Sequence, residues 1–93
     1  MKFLKSLFGG GTADTVNEEE VVEYNGYRIQ PAPKSAGHGW TTEAIITKEI
    51  DGQTRTHHFI RADQSSDRDA AVSLALTKTR IMIDQVGDKI FKD

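Results

Sequence analysis

The residues best equipped for chemistry are the three histidines and a few acids at suggestive spacing, and their placement argues against a shared site. His57 and His58 are adjacent in a run rich in β-branched and aromatic residues. Neighbouring side chains on a strand point to opposite faces, so these two cannot ligate one metal in regular geometry. His57 reads as a half-buried sheet residue. His38 stands alone in the stretch Lys34–Gly39, where a solvated loop histidine is the ordinary expectation. Arg61 and Asp63 close the second strand, a position that predicts an ion pair tying strand to helix. Asp84 and Asp88 are four residues apart, but Gly87 interrupts the helix between them and no third ligand is in view. There is no phosphate loop, nucleophile elbow or histidine–acid helix motif. No enzymatic activity, metal, cofactor or small-molecule substrate is therefore expected.

Composition narrows the class further. The chain has 93 residues, no cysteine and a formal net charge of −2. That is one domain at most, without disulfides or thiolate metal sites. The charge is unevenly spread: Asp14, Glu18, Glu19, Glu20 and Glu23 occupy residues 12–26 with no Lys or Arg among them, whereas Tyr27–Asp93 is near neutral. A near-neutral body behind an acidic leader is a poor electrostatic match to nucleic acid. No stretch approaches the roughly 20 apolar residues of a membrane span, and a cytoplasmic location is expected. Met1–Phe8 could form two helical turns with Phe3, Leu4, Leu7 and Phe8 on one face. It is too interrupted for a signal peptide and offers little area to a membrane surface, so a frayed terminus is the plainest reading. Gly9-Gly10-Gly11 and the polar run after it predict a flexible tail over residues 1–19, followed by a single domain over 20–93.

The elements that must position any site are two hairpins and a helix. Asn25-Gly26 and Asp51-Gly52 are preferred type I′ turn pairs, because both central residues need positive φ. The first joins short arms, Val21–Tyr24 and Tyr27–Gln30, ended by Pro31 and Pro33. Lys34–Gly39 reads as a mobile loop. The second joins long arms, Trp40–Glu49 and Thr54–Arg61. A two-residue loop pairs Ala44 with Phe59, Ile46 with His57 and Ile45 with His58; a three-residue loop with a bulge would shift this by one. The former gathers Trp40, Thr42, Ala44, Ile46, His57 and Phe59 on one face, with Glu43, Ile45, Thr47, Thr56, His58 and Ile60 on the other. A helix follows, with Ser66 as N-cap, Asp69 as its capping-box acid, and an apolar stripe of Val72, Leu76, Thr79, Ile83 and Val86 flanked by Ala75 and Met82. Gly87 ends it, after which Ile90 and Phe91 fold back. The expected fold is α+β: a four-stranded antiparallel β-meander of two hairpins, covered on one face by a single C-terminal helix. Trp40 and Phe59 should lie beneath Leu76 and Ile83.

Two groups of residues are left for interaction. Arg28, Lys34, Lys48, Arg55 and Arg61 lie near the hairpins and are the candidates for contact with DNA or a protein partner. They form no run, and the sheet face that would enter a groove also carries Glu43 and Glu49. Leu74 and Ile81 sit seven apart on the helix side away from the stripe, and suggest a homodimer.

Several segments together carry a family resemblance. They are Lys5-Ser-Leu-Phe-Gly-Gly10, the Tyr-x-Gly-Tyr-x-Ile-x-Pro segment Tyr24–Pro31, and Trp40 opening a strand. Lys48-Glu-Ile-Asp-Gly52, Phe59-Ile-Arg-Ala-Asp63 and Ile83-Asp-Gln-Val-Gly-Asp-Lys-Ile-Phe91 complete the set. In this order they resemble the HlyU-like family of small bacterial proteins, described as activators of haemolysin expression. Thr42 and Ala44 depart from its pattern, without upsetting the fold. The resemblance implies a transcriptional regulator and supplies no functional residues to carry over. The same name is used for a winged-helix regulator, a fold that one helix cannot make. The residues themselves favour a small protein–protein interaction module acting on gene expression without DNA contact.

Overall fold

Two tight turns set the register of the whole sheet. In the computed structural model, which describes residues 17–91, Asn25 and Gly26 have φ of 51° and 87°, and Asp51 and Gly52 have 55° and 80°. Both are therefore the expected type I′ pairs, whose twist matches that of the strands they join. The first links β1 (Val22–Tyr24) to β2 (Tyr27–Pro31), and the second links β4 (Gly39–Ile50) to β5 (Gln53–Ser65). Ala44 pairs with Phe59, Ile46 with His57 and Ile45 with His58, as the two-residue loop requires.

The sheet is antiparallel and five-stranded rather than four-stranded. The meander β1-β2-β4-β5 stands, and the additional strand is β3 (Ser35–Ala36), which pairs with Trp40 and Gly39 at the start of β4. It lies in the segment expected to be a loop. Two backbone-linked contacts close that segment: Thr41 N–H donates to the Lys34 carbonyl at 2.8 Å, and Lys34 N–H to Thr41 Oγ1 at 2.9 Å. A Cβ on Gly39 would come within 2.4 Å of the Ser65 carbonyl oxygen, so only glycine lets β4 approach β5 there. The pairing shifts between Thr41 and Thr42, and the Thr42 hydroxyl donates to the Asp63 carbonyl at 2.9 Å across that irregularity.

The helix α1 (Arg68–Val86) crosses one face, and a 3-10 turn (Gly87–Phe91) continues from it. Its N-cap is Asp67, which accepts from Ala70 N–H at 2.8 Å, and not Ser66; Asp69 accordingly lies in the first turn and not at the capping-box position. Either residue could cap, and β5 runs on to Ser65, which leaves the turn to Asp67. The buried stripe keeps the expected Thr79 and Ile83 but is otherwise rotated, with the flanking Ala75 moved to its centre. It is Ala71, Ala75, Thr79 and Ile83, while Val72 and Leu76 are half-buried and Val86 is exposed. Small alanines at the contact let the helix sit close to Ala44 and the fully buried Phe59, Ile29 and Ile46. Each of those three contributes roughly 1.5–3 kcal/mol by burial. The Thr79 hydroxyl is buried but satisfied, donating to the Leu76 carbonyl at 3.0 Å. Phe59 is buried as expected; Trp40 is only half-buried and lies outside the core cluster. Ile90 does fold back into the core, and Phe91 stacks on Tyr27 with ring centroids 6.1 Å apart.

The expected tail over 1–19 falls mostly outside the described residues, as does the Met1–Phe8 segment. Of that tail the described part forms a 3-10 turn (Glu18–Glu20) capped by Asn17. Gln30 Nε2 donates to the Asn17 carbonyl at 2.9 Å, and Arg68 holds Glu20 through two bonds of 2.8 and 3.0 Å.

Candidate interaction surfaces

The five basic candidates do not form one patch. Cross-strand pairing places Arg28 on the open face of the sheet, opposite Thr47, and places Lys48, Arg55 and Arg61 on the helix face. Lys34, just before β3, reaches Glu43 on the open face. Three of the five are already held by acids. Arg28 meets Glu23 at 3.1 Å, Lys34 meets Glu43 at 3.6 Å, and Lys48 meets Asp88 at 2.8 Å. Arg61 lies over the Phe59 ring at 4.3 Å and reaches the Ile60 carbonyl and Met82 Sδ. Arg55 is exposed opposite Lys48.

The residues that sequence reasoning passed over are the two tyrosines of the first hairpin. The Tyr24 hydroxyl donates to both oxygens of Asp84 at 2.8 Å, and the Tyr27 hydroxyl donates to Asp88. Lys48 completes this cluster from β4, its ammonium 4.5 Å from the Tyr27 ring centroid as well as bonded to Asp88. Asp84 at the end of α1 and Asp88 in the 3-10 turn are thus the helix side of a latch onto β1, β2 and β4. The charges tune each other accordingly. Lys48 first, and Tyr27 second, hold the Asp88 carboxyl below its usual range, while the bond to Asp88 raises Lys48. Burial first, and Asp88 second, raise the Tyr27 phenol; the bond to Asp84 raises Tyr24. A tyrosine pair flanking an Asn-Gly turn gave a signal only for a hairpin.

On the open face Glu43 is nearly buried, and its Oε1 lies 3.1 Å from His58 Nε2. The register alone put His58 diagonally across from Glu43, so this pair was legible. Around it lie the half-buried Ile45, the buried Thr47 and the half-exposed Ile60. Gln30 Oε1, also buried on this face, has no hydrogen-bond partner among the described residues. His57 and His58 lie on opposite faces, as expected.

Leu74 and Ile81 share one flank of α1. Lys78 lies between them at helical spacing and meets Asp63 of β5 at 2.6 Å, the strand-to-helix ion pair expected at that strand end. Leu74 is half-buried and Ile81 is 50% exposed. Lys78 thus ties this flank of the helix to the β5 side.

Among the described residues no group of three or more His, Asp or Glu could hold a metal ion, and no helix is long and apolar enough to cross a membrane. The class these features define is a small α+β domain in which, among the described residues, one α-helix lies on an antiparallel sheet and several Lys and Arg side chains are paired with carboxylates. The chain belongs to the HlyU family: the family model described as transcriptional activator HlyU matches residues 2–91. Searches of curated proteins and of solved structures find no match. The described residues contain one α-helix, so the winged-helix arrangement is not this fold.

Proposed function

We propose that this member of a transcriptional-regulator family works in the cytoplasm without catalysis, by contacting a protein partner and not by reading DNA. One observation carries this: the five basic candidates are divided between the two sheet faces, and three of them are already neutralised by Glu23, Glu43 and Asp88. Groove binding needs several cations on one surface, each free to replace a counterion at a phosphate. The open sheet face suits a protein better. Ile45 and Ile60 are diagonal neighbours there, framed by Thr47, Thr56 and His58, an apolar centre inside a polar rim.

Transcript profiling of a deletion strain complemented with variants tests this. Arg28→Ala combined with Arg55→Ala should leave regulation as in wild type, and Ile60→Asp should abolish it while the protein keeps its melting temperature. Loss of regulation by the folded double variant, with Ile60→Asp behaving as wild type, would establish DNA reading instead.

A further inference from the structure

β5 is a long edge strand. It runs over 13 residues, pairs with β4 on one side, and has no described strand on the other. Folded proteins usually blunt such edges by shortening them, inserting proline or covering them. The opposite edge is short, since β1 has 3 residues, but β5 contains no proline.

The hydrogen bonding of the sheet determines which backbone groups of β5 look outward. The Glu43 carbonyl accepts from Ala32 N–H at 2.9 Å on the side away from β5. Its cross-strand neighbour Ile60 is therefore in a non-hydrogen-bonded pair and turns its own N–H and carbonyl away from the sheet. The Ile60 carbonyl indeed meets the Arg61 guanidinium at 3.1 Å, while the Asp63 carbonyl turns inward to Thr42 Oγ1. With period two up to the irregularity at Ala62 and Asp63, Thr54, Thr56, His58 and Ile60 are the outward residues.

We propose that two copies of this chain join edge to edge along β5, antiparallel, about a two-fold axis at Phe59. His58 then stands opposite the partner subunit's Ile60, so outward residues meet outward residues and exchange both bonds. The register is selected by charge. Arg55 falls opposite the partner subunit's Asp63, twice by symmetry, and the Asp63 side chain is 50% exposed despite its bond to Lys78. Moving the axis to His58 would set Arg55 against the partner subunit's Arg61, a like-charge pair that is destabilising. A two-fold normal to the sheet keeps both copies of α1 on one side, each tied to the shared edge through Lys78 and Asp63. Pairing competes with Arg61 for the Ile60 carbonyl, which has two lone pairs and can accept twice. Each copy uses the only long edge among its described residues, so assembly closes at two. This contact does not depend on what the protein binds in regulation.

Sedimentation of the full chain from roughly 1 µM to roughly 1 mM, the span of weak interfaces, reads the association. Hydrogen exchange at both ends of that range reads its location. A monomer–dimer equilibrium is expected, with the amides of Thr56, His58 and Ile60 gaining protection at high concentration. Ile60→Pro should weaken association about tenfold or more, because symmetry removes two hydrogen bonds at once. That N–H is not used by β4, so the fold should survive; if it does not, the exchange pattern of the wild-type chain decides alone. A monomer throughout, or a dimer in which those amides stay unprotected, would overturn the proposal.

Discussion

Asp88 shows how a residue can take its role from the fold and not from its sequence neighbours. Four residues from Asp84 but beyond Gly87, it has no evident role in the sequence; in the fold it receives Lys48 and Tyr27 from two different strands. Nothing local announces partners 40 and 61 positions away, so this latch was not legible. Its pH dependence follows from the directions of shift. Asp88 is held below its usual value, so its contribution is present above the unfolded carboxyl range and is lost as pH falls through its folded value. Lys48 and Tyr27 are raised, so theirs is present below their unfolded values and lost as pH rises through the folded ones. Urea midpoints measured across pH should show a plateau between those limits. Asp88→Asn should lower the plateau and flatten the acid limb, and an acid limb unchanged by the substitution would remove the latch.

At the scale of elements, local chemistry was readable and relative orientation was less so. Asn25-Gly26 and Asp51-Gly52 state their turn type outright, and the turn then fixes the register of both arms. The pattern of large apolar residues finds Thr79 and Ile83 but not the centre of the stripe, because Ala71 and Ala75 carry little hydrophobic weight in a sequence, yet smallness is what close packing on Ala44 and Phe59 needs. The consequences are measurable. Ala75→Leu should destabilise by about 1–3 kcal/mol through overpacking. Ile83→Ala should cost about 2–5 kcal/mol, and the half-buried Leu76→Ala less than that, about 1–2 kcal/mol. Denaturant midpoints that reverse the order of Ile83 and Leu76 would show that the stripe is misplaced. Gly39→Ala tests the fifth strand. With a Cβ forced to within 2.4 Å of the Ser65 carbonyl, the β3–β4–β5 corner must open, and Gly39, Trp40 and Ser65 amides should lose exchange protection.

For the whole molecule, the decisive feature is the distribution of charge and not its net value. The sequence shows five basic residues near the hairpins; only the fold shows that Arg28 and Lys34 serve one face, that Lys48, Arg55 and Arg61 serve the other, and that acids hold three of them. The chain belongs to the HlyU family, described as transcriptional activators, and the proposal of protein contact rests on the surface charge. The salt dependence of binding to duplex DNA tests this most directly, because each phosphate contact adds about 0.9 to the slope of log K against log salt. A protein with its cations divided and paired should bind in the non-specific range, roughly 10⁻⁴–10⁻⁶ M at physiological salt, with a slope equivalent to one or two contacts. Nanomolar affinity for one promoter, with a slope equivalent to about five contacts that falls by one in Arg55→Ala, would contradict it.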